Sequence, residues 1–478
     1  MTKEIFGVYE GVTKDDVIDY LYSDVKFKKI MVTPESFSKV KDAIEEVGMN
    51  LYQDFFLLFD ECERIIQDVS YRKTITLPMD DFFLFKGKAF ISATPLPPSD
   101  PRFKKKRFTE LHVVPDFDNT IDLELMPTNN ILLSLKHYFS HHKNDHYFIF
   151  LNSTDTIASV IKTLNIRTES HVFCARESVV KFRAINLNIA NQHFENKLIK
   201  KYNFFSSRFN SAVDLKVAFK PNILIISDLT RALHSKVDPL TQVVQIIGRL
   251  RNGYNNVTHI TNLKENLVSK TEEQIINYLE GCESAYNTIK ALRQAATTEG
   301  ARNTLDQCLE LVEYAQFVNP DGSKNYYMFD NEIHSNRVNG YYHNAETLKL
   351  AYEQTNRFKI KFKPQEYLLD DIHNNKLEAG LSNIALYRKI AETLLKIEDA
   401  DNALNMNAFI VRAQLQKMFP DICDAFRKLK YEGMAELNFS PGKIRDAVYK
   451  ITTDKEKKHF EFLQLLNIAF NIDKVYTT

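Results

Sequence analysis

Five consecutive apolar side chains, Phe55 to Phe59, run directly into the acids Asp60 and Glu61. A short, wholly apolar run stopped by two charges reads as a buried parallel strand that presents carboxylates at its C-terminal edge. Open α/β sheets bind their ligands at that edge. A second run, Lys88-Ala89-Phe90-Ile91, delivers Ser92-Ala93-Thr94 to the same edge. Much further along, a helix expected after Pro239-Leu240-Thr241 carries Gln245-Ile246-Ile247-Gly248-Arg249-Leu250-Arg251. Taken singly, each segment has a plainer explanation: a core strand meeting solvent, a hydroxyl capping a helix, arginines on a solvated surface.

In this order the three segments resemble motifs II, III and VI of superfamily 2 helicases, the group that contains the DEAD-box and DEAH-box ATPases. Ile30-Met31-Val32-Thr33-Pro34-Glu35-Ser36 is similar to motif Ib, Tyr147 to Ser153 to motif IV, and Phe204 to Asp214 to motif V, with Ala212 where the family usually has Gly. The resemblance covers about residues 20 to 262. It implies tandem RecA-like lobes, with ATP and Mg²⁺ as cofactors. It also implies that Asp60 holds Mg²⁺ through water, that Glu61 orients or deprotonates the attacking water, and that Gln245 senses the nucleotide. Arg249 and Arg251 would be arginine fingers, with Ser92, Thr94 and Asp214 in coupling positions. Thr33, Pro34, Ser36, Ser206 and Ser207 would contact nucleic acid, DNA being expected over RNA. The family usually places two residues between the motif VI arginines, whereas Leu250 alone separates them here. Neighbours at i and i+2 on a helix point to different sides, which puts Arg249 ahead of Arg251 as the finger.

No stretch of the sequence fits Gly-x-x-x-x-Gly-Lys-(Ser/Thr). The nearest, Gly7-Val8-Tyr9-Glu10-Gly11-Val12-Thr13-Lys14, has the wrong spacing and order. A phosphate cradle needs successive backbone N–H groups at a helix N-terminus and a Lys on the β- and γ-phosphates. The first lobe is therefore expected to be incomplete, with a P-loop supplied by an upstream segment or a partner polypeptide, or else with no ATP hydrolysis at all.

Residues 1–117 are expected to form the remnant of lobe one, closing on a strand at Glu110–Val114, with an interlobe linker from Pro115 to Asn130. Residues 118–262 form lobe two, with strands at Tyr147–Leu151, His171–Cys174, Asn203–Ser206, Ile223–Ile226 and Val257–Thr261. Residues 263–478 read as mainly helical. Thr271-Glu272-Glu273-Gln274 fits a capping box ahead of a stripe through Ile275, Tyr278, Cys282, Tyr286, Ile289 and Leu292. Ile384, Tyr387, Ile390, Leu394 and Ile397 form a second stripe, and Ser440-Pro441 starts a further helix. The break at Pro320-Asp321-Gly322-Ser323, before Tyr326 to Phe329, predicts a small hairpin.

Lys plus Arg equals Asp plus Glu at 62 each, so any nucleic-acid surface is a local patch. The densest basic run, Lys104-Lys105-Lys106-Arg107, lies between Phe103 and Phe108 and reads either as a solvated loop or as a phosphate-backbone contact. His137, His141, His142 and His146 look like an exposed helix end, since no carboxylate or Cys completes a ligand set. Five scattered cysteines without a C-x-x-C pair favour a reducing cytoplasm. No apolar stretch reaches the length of a membrane span, so no membrane partner is expected. Two functions remain open: an ATP-dependent helicase or translocase, and a non-hydrolytic nucleic-acid-binding module on a degenerate helicase fold.

Overall fold

The computed structural model describes residues 4–210, 213–367, 383–401, 411–413, 415–416 and 419–469. Ala212 of the motif V segment lies outside them.

The first lobe holds two separate parallel strand pairs. β1 (Ile5–Val8) pairs with β2 (Lys29–Val32), and β3 (Phe56–Asp60) pairs with β4 (Gly87–Ile91). The helix Lys14–Tyr22 makes the first crossover and starts on a capping box between Thr13 and Asp16. The helix Phe37–Glu46 buries Phe37, Val40, Ala43 and Ile44, one face at helical spacing, against Val8 and Leu21. On β3, Leu57 and Phe59 turn inward and pack against the core shared with Ile65, Phe82 and Phe317. The opposite face is bare: Phe56 is 64% exposed and Leu58 53%. The strand expected to be buried on both faces is thus covered on one only.

The second lobe is an eight-stranded, wholly parallel sheet. Its chain order supplies β5 (Ile121–Pro127), β6 (Tyr147–Phe150), β7 (Ser170–Phe173), β8 (Ala190–Asn191), β9 (Tyr202–Phe205), β10 (Asn222–Ser227), β11 (Asn256–Thr261) and β12 (Phe358–Phe362). The spatial order is β12-β5-β11-β10-β6-β9-β7-β8. Every residue of β6, β9 and β10 is buried because helices cover both faces, and this is why those strands read as continuous apolar runs. Phe148, Phe150, Phe173, Phe205 and Ile225 fill one face, and Tyr147, Ile149, Phe204 and Leu224 the other. Asn130 and Ser153 cap the helices Ile131–His141 and Thr154–Thr163.

Several expectations are corrected. Pro115–Asn130 is not a plain linker, because it contains β5, on which Leu123 and Leu125 are buried and Glu124 pairs with Lys363 at 2.9 Å. Glu110–Val114 forms no strand and has no ladder partner among the described residues. The sheet runs past residue 262, taking its edge strand β12 from 358–362, while Tyr342, Leu348 and Tyr352 enter its core. At the expected hairpin, a tight turn over Asn319–Ser323 is closed by one antiparallel bridge between Val318 and Lys324, and the helix Tyr326–Tyr341 follows in place of a longer second arm.

The remaining C-terminal elements are helices. Glu272–Ala295 starts on the capping box at Thr271 and buries Ile275 and Leu279, whereas Tyr278 and Leu292 of the expected stripe face outward. On Asn383–Asp401, Ile390, Leu394 and Ile397 pack against Phe419, Ile422 and Phe426, while Ile384 lies exposed. Pro441–Ala469 follows Ser440. The architecture is α/β, with tandem RecA-like lobes followed by a mainly helical region. No helix of the described residues is long and apolar enough to cross a membrane.

Candidate functional site

β3 and β4 run parallel in register, so Asp60 and Ile91 finish side by side at one edge. The chain reverses sharply there. Glu61 sits at φ 51, a left-handed conformation disfavoured for a side chain with a Cβ, and its backbone N–H donates to Asp60 Oδ1 at 2.9 Å. That turn leaves Asp60 at the strand end and swings the Glu61 carboxylate across to lobe two. Thr94 is held by its own backbone N–H donating to Ser92 Oγ at 2.9 Å.

From lobe two, the helix Gln242–Gly248 ends at this edge. Arg249 closes the helix, and its Nη2 donates to Glu61 Oε1 at 2.9 Å. Its Nη1 lies 3.7 Å from Asp214 Oδ1, and its Nε is buried without a partner. Arg251 falls beyond the helix and instead bonds Asp214 at 3.0 Å, with half of its side chain in water. The two arginines thus differ in burial and partner. The cause is that only Arg249 remains on the helical path.

Behind this pair lies a polar layer that joins the lobes. Gln245 Nε2 donates to Glu63 Oε1 and, at 3.1 Å, to Thr94 Oγ1, while Arg64 Nη2 reaches Gln245 Oε1 at 3.5 Å. Gln67 donates to Thr241 at 2.7 Å, and Thr241 donates to Asp238 at 3.0 Å. Glu63 is wholly buried, which pushes its carboxyl above the usual range against the opposing influence of the nearby Ser92 hydroxyl. Its Oε2 lacks a hydrogen-bonded partner. Burial also raises the neighbouring Cys62 thiol to about 12, so that sulfur is an inert core group. Burial works against the charge on Asp238 as well, yet the hydrogen bond and charge of His334, 3.0 Å away, hold it below the usual carboxylate range.

Sequence reasoning missed Glu63, Arg64, Gln67 and the helix Tyr326–Tyr341. This helix touches both lobes: Tyr327 donates to Asp100 at 3.1 Å, Asn331 to the Ile66 carbonyl at 2.7 Å, and His334 meets Asp238. The one signal for Glu63 was a third acid within four residues of Asp60. Its burial depends on Gln245, far away in the chain.

The residues suggested for nucleic-acid contact are divided. Thr33 and Ser207 are exposed and Ser206 half-buried, but Ser36 is buried at the end of the short helical turn Pro34–Ser36. Glu35 is bound by Arg72 at 2.7 Å and Thr74 at 2.9 Å, and the Arg72 guanidinium lowers its carboxyl to about 2. Lys104 and Lys105 end the short helix Pro101–Lys105, and Arg107 at φ 55 completes the turn. Phe103 and Phe108 pin that turn onto Phe82 and Phe90, leaving Lys104, Lys105, Lys106 and Arg107 pointing into solvent. The flanking aromatics are therefore anchors of the turn. At the end of Ile131–His141 the rings of His137 and His141 lie 4.0 Å apart at a tilt and His142 stacks on Tyr138, whereas His146 leaves the group and stacks on Phe219.

Gly7 to Lys14 does form a strand, a turn and a helix start. Thr13 already caps that helix, Asp15 and Asp16 occupy its first turn, and Lys14 pairs with Glu46. Those acids and that cap disfavour a phosphate there.

No family model and no curated protein matches the sequence. Among solved structures, S. cerevisiae Dbp5 bound to RNA and ADP BeF3 is 13% identical with a TM-score of 0.34, over 55% of this chain and 64% of that one. The chain thus spans just under two thirds of the Dbp5 chain. A hypothetical ATP-dependent RNA helicase from Sulfolobus tokodaii is 12% identical with a TM-score of 0.23, over 54% of this chain and 71% of that one. Likeness at this level assigns no role to any residue.

Proposed function

We propose that this chain is the larger part of an ATP-dependent nucleic-acid helicase or translocase, active with a P-loop that an upstream segment or a partner polypeptide contributes. One observation carries the reading: Arg249 of lobe two meets Glu61 of lobe one, while Gln245 joins Glu63 and Thr94 behind them. A strand-end carboxylate pair facing an arginine across two lobes is what phosphoryl transfer to water requires.

The donor set fits Mg²⁺ and ATP in part. Asp60 Oδ1 accepts the Glu61 N–H, leaving Oδ2 to hold Mg²⁺ through water. Among the described residues no group of three or more His, Cys, Asp or Glu could hold a metal, so Asp60 alone of this site would hold Mg²⁺, and only together with its nucleotide. Mg²⁺ would supply neutralising charge on the β- and γ-phosphates. Glu61 orients the attacking water and takes its proton. Arg249 exchanges Glu61 for the transferring phosphoryl group, and Gln245 reports closure to Ser92 and Thr94. Arg251 and Asp214 brace Arg249. Nucleic acid, DNA in this reading and RNA as the alternative outcome, would lie over Thr33, Ser206, Ser207 and the Lys104–Arg107 turn.

The second reading, a non-hydrolytic binding module, is favoured by the blocked helix start at Thr13 and Lys14. ATP turnover separates the two. The isolated chain should hydrolyse ATP negligibly, and the assembly purified from its own cells should show nucleic-acid-stimulated turnover that Glu61→Gln abolishes. Turnover by the isolated chain at an ordinary helicase rate of about 1–100 s⁻¹ would show that a cradle exists within it. An assembly without turnover leaves the binding module.

A further inference from the structure

After β11 the chain leaves lobe two, packs against lobe one, and then goes back. Ile275, Leu279 and Phe317 share one core with Ile65, Met79 and Phe82 of lobe one. Tyr342, Leu348 and Tyr352 belong to the core of lobe two. One helix, Tyr326–Tyr341, carries the chain from the first core to the second. Its first turn buries Tyr327, Met328 and Phe329 in lobe one, while Val338 near its end is buried in lobe two.

Polar contacts divide in the same way. At the lobe-one end, Tyr327 donates to Asp100 at 3.1 Å and Asp330 accepts the Ser99 N–H at 2.8 Å. Asn331 donates to the carbonyls of Ile66 at 2.7 Å and Gln67 at 3.2 Å. At the lobe-two end, His334 lies 3.0 Å from Asp238, Lys236 donates to Asn339, and Tyr342 donates to the Val237 carbonyl at 2.8 Å. The Asp238 carbonyl in turn accepts the Val243 N–H at 3.2 Å, so the loop that meets His334 also starts the helix bearing Gln245 and Arg249.

The crossing is stiff. The helix has 16 residues, about 24 Å in length, with neither Pro nor Gly before Gly340, and sharp kinks arise at such residues. The outgoing segment 264–270 runs back alongside it: Asn336 accepts the Lys270 N–H at 3.0 Å, Asn339 donates to the Val268 carbonyl at 2.8 Å, and His343 donates to the Leu267 carbonyl at 2.8 Å. Gly340 permits this approach, because a Cβ there would stand 2.9 Å from Ser269 Oγ. A helix braced in this way does not bend, so the lobes separate only when one of its ends undocks. The lobe-two end leads into β12, which is paired into the large sheet. The lobe-one end adds no strand to that lobe and is held by side chains. The lobe-one end is therefore the one that releases.

We propose that Tyr326–Tyr341 is an interlobe clasp. Docked at both ends, it holds the two lobes together by itself, and undocking of Tyr327 to Asn331 from lobe one is the step that opens the cleft. Every contact in the device lies within this chain, so it stands apart from the hydrolytic reading of the site.

The test is hydrogen exchange by mass spectrometry on the full chain without added nucleotide, read on the lobe opposite each substitution. Tyr327→Phe combined with Asn331→Ala removes contacts to lobe one alone, and should accelerate exchange at 243–250 in lobe two by about tenfold or more. His334→Ala removes a contact to lobe two alone, and should accelerate exchange at 61–64 in lobe one by about tenfold. β6 and β9 should keep their protection in each variant. A merely local role speeds exchange only beside the substitution. Opposite-lobe amides within about twofold of wild type overturn the proposal, as does acceleration shared by β6 and β9. If the double variant does not fold, Tyr327→Phe decides: it removes one hydroxyl, and about threefold at 243–250 is expected against no change. ATP turnover of the same preparations is read in parallel. Turnover without transfer between lobes rejects the clasp alone, whereas transfer without turnover rejects hydrolysis alone.

Discussion

Gln245 bonds both Glu63 and Thr94 across the cleft, and Gln245→Ala isolates its part in closure. The variant removes two donors at once, one to the buried Glu63 carboxyl and one to Thr94 Oγ1 at 3.1 Å. A neutral hydrogen bond contributes about 1 kcal/mol net and one to a charged acceptor about 1.5–3 kcal/mol. Burial pushes Glu63 toward its neutral form, which places the sum near the lower end, at about 2 kcal/mol. Gln245 and Glu63 belong to different lobes, so the loss falls on closure rather than on the folding of either lobe. About 2 kcal/mol is roughly 30-fold in an opening equilibrium. Hydrogen exchange by mass spectrometry on the full chain reads this directly: amides at 61–67 and 243–250 should exchange roughly 30-fold faster, while β6 and β9 keep their protection. Cleft amides that change by less than about twofold would disprove the role of Gln245 in closure, as would uniform acceleration across the chain.

Glu63→Gln removes a carboxyl whose folded-state affinity for protons exceeds its unfolded one. The stability Glu63 contributes is complete below its unfolded pKa and lost as pH rises through the raised folded one, so the variant should gain thermal stability over wild type at pH 7 and lose the advantage near pH 4. Equal melting differences at both pH values would refute this. Replacing Lys104, Lys105 and Lys106 with Ala, all exposed, should weaken binding to single- and double-stranded DNA or RNA. The log–log salt slope should flatten by about one unit for each phosphate that the lysines no longer neutralise, and an unchanged slope returns the turn to plain solvated surface.

Much of the cleft was legible because its parts are local. β3 and β4 announce themselves as apolar runs, and Asp60, Ser92 and Thr94 follow at their ends by simple adjacency. Arg249 separates from Arg251 because the helix stops at Gly248. What stayed hidden is set by distant partners. β5 reads as linker because the stretch around it is rich in Pro and Asn, and the partners of its Glu124, Lys363 at 2.9 Å and His142 at 3.9 Å, lie on other elements. Glu110–Val114 has the composition of a strand but no ladder partner among the described residues. Tyr326 to Phe329 reads as one arm of a hairpin. Asn325 caps a helix at that point instead, and Tyr327, Met328 and Phe329 all find burial against lobe one.

The two lobes meet so that Arg249, and not Arg251, bonds Glu61 across the cleft, and the nucleotide reading proposed above stands or falls on that difference. The decisive quantity is kcat for ATP hydrolysis by the native assembly carrying Arg249→Ala, set beside the same assembly carrying Arg251→Ala. Arginine fingers contribute about 10³–10⁵ in kcat, so Arg249→Ala should lose activity on that scale. Arg251, half in water and bound to Asp214, should cost far less when replaced. Equal losses from both variants, or turnover untouched by Arg249→Ala, would contradict the assignment of Arg249 as the finger.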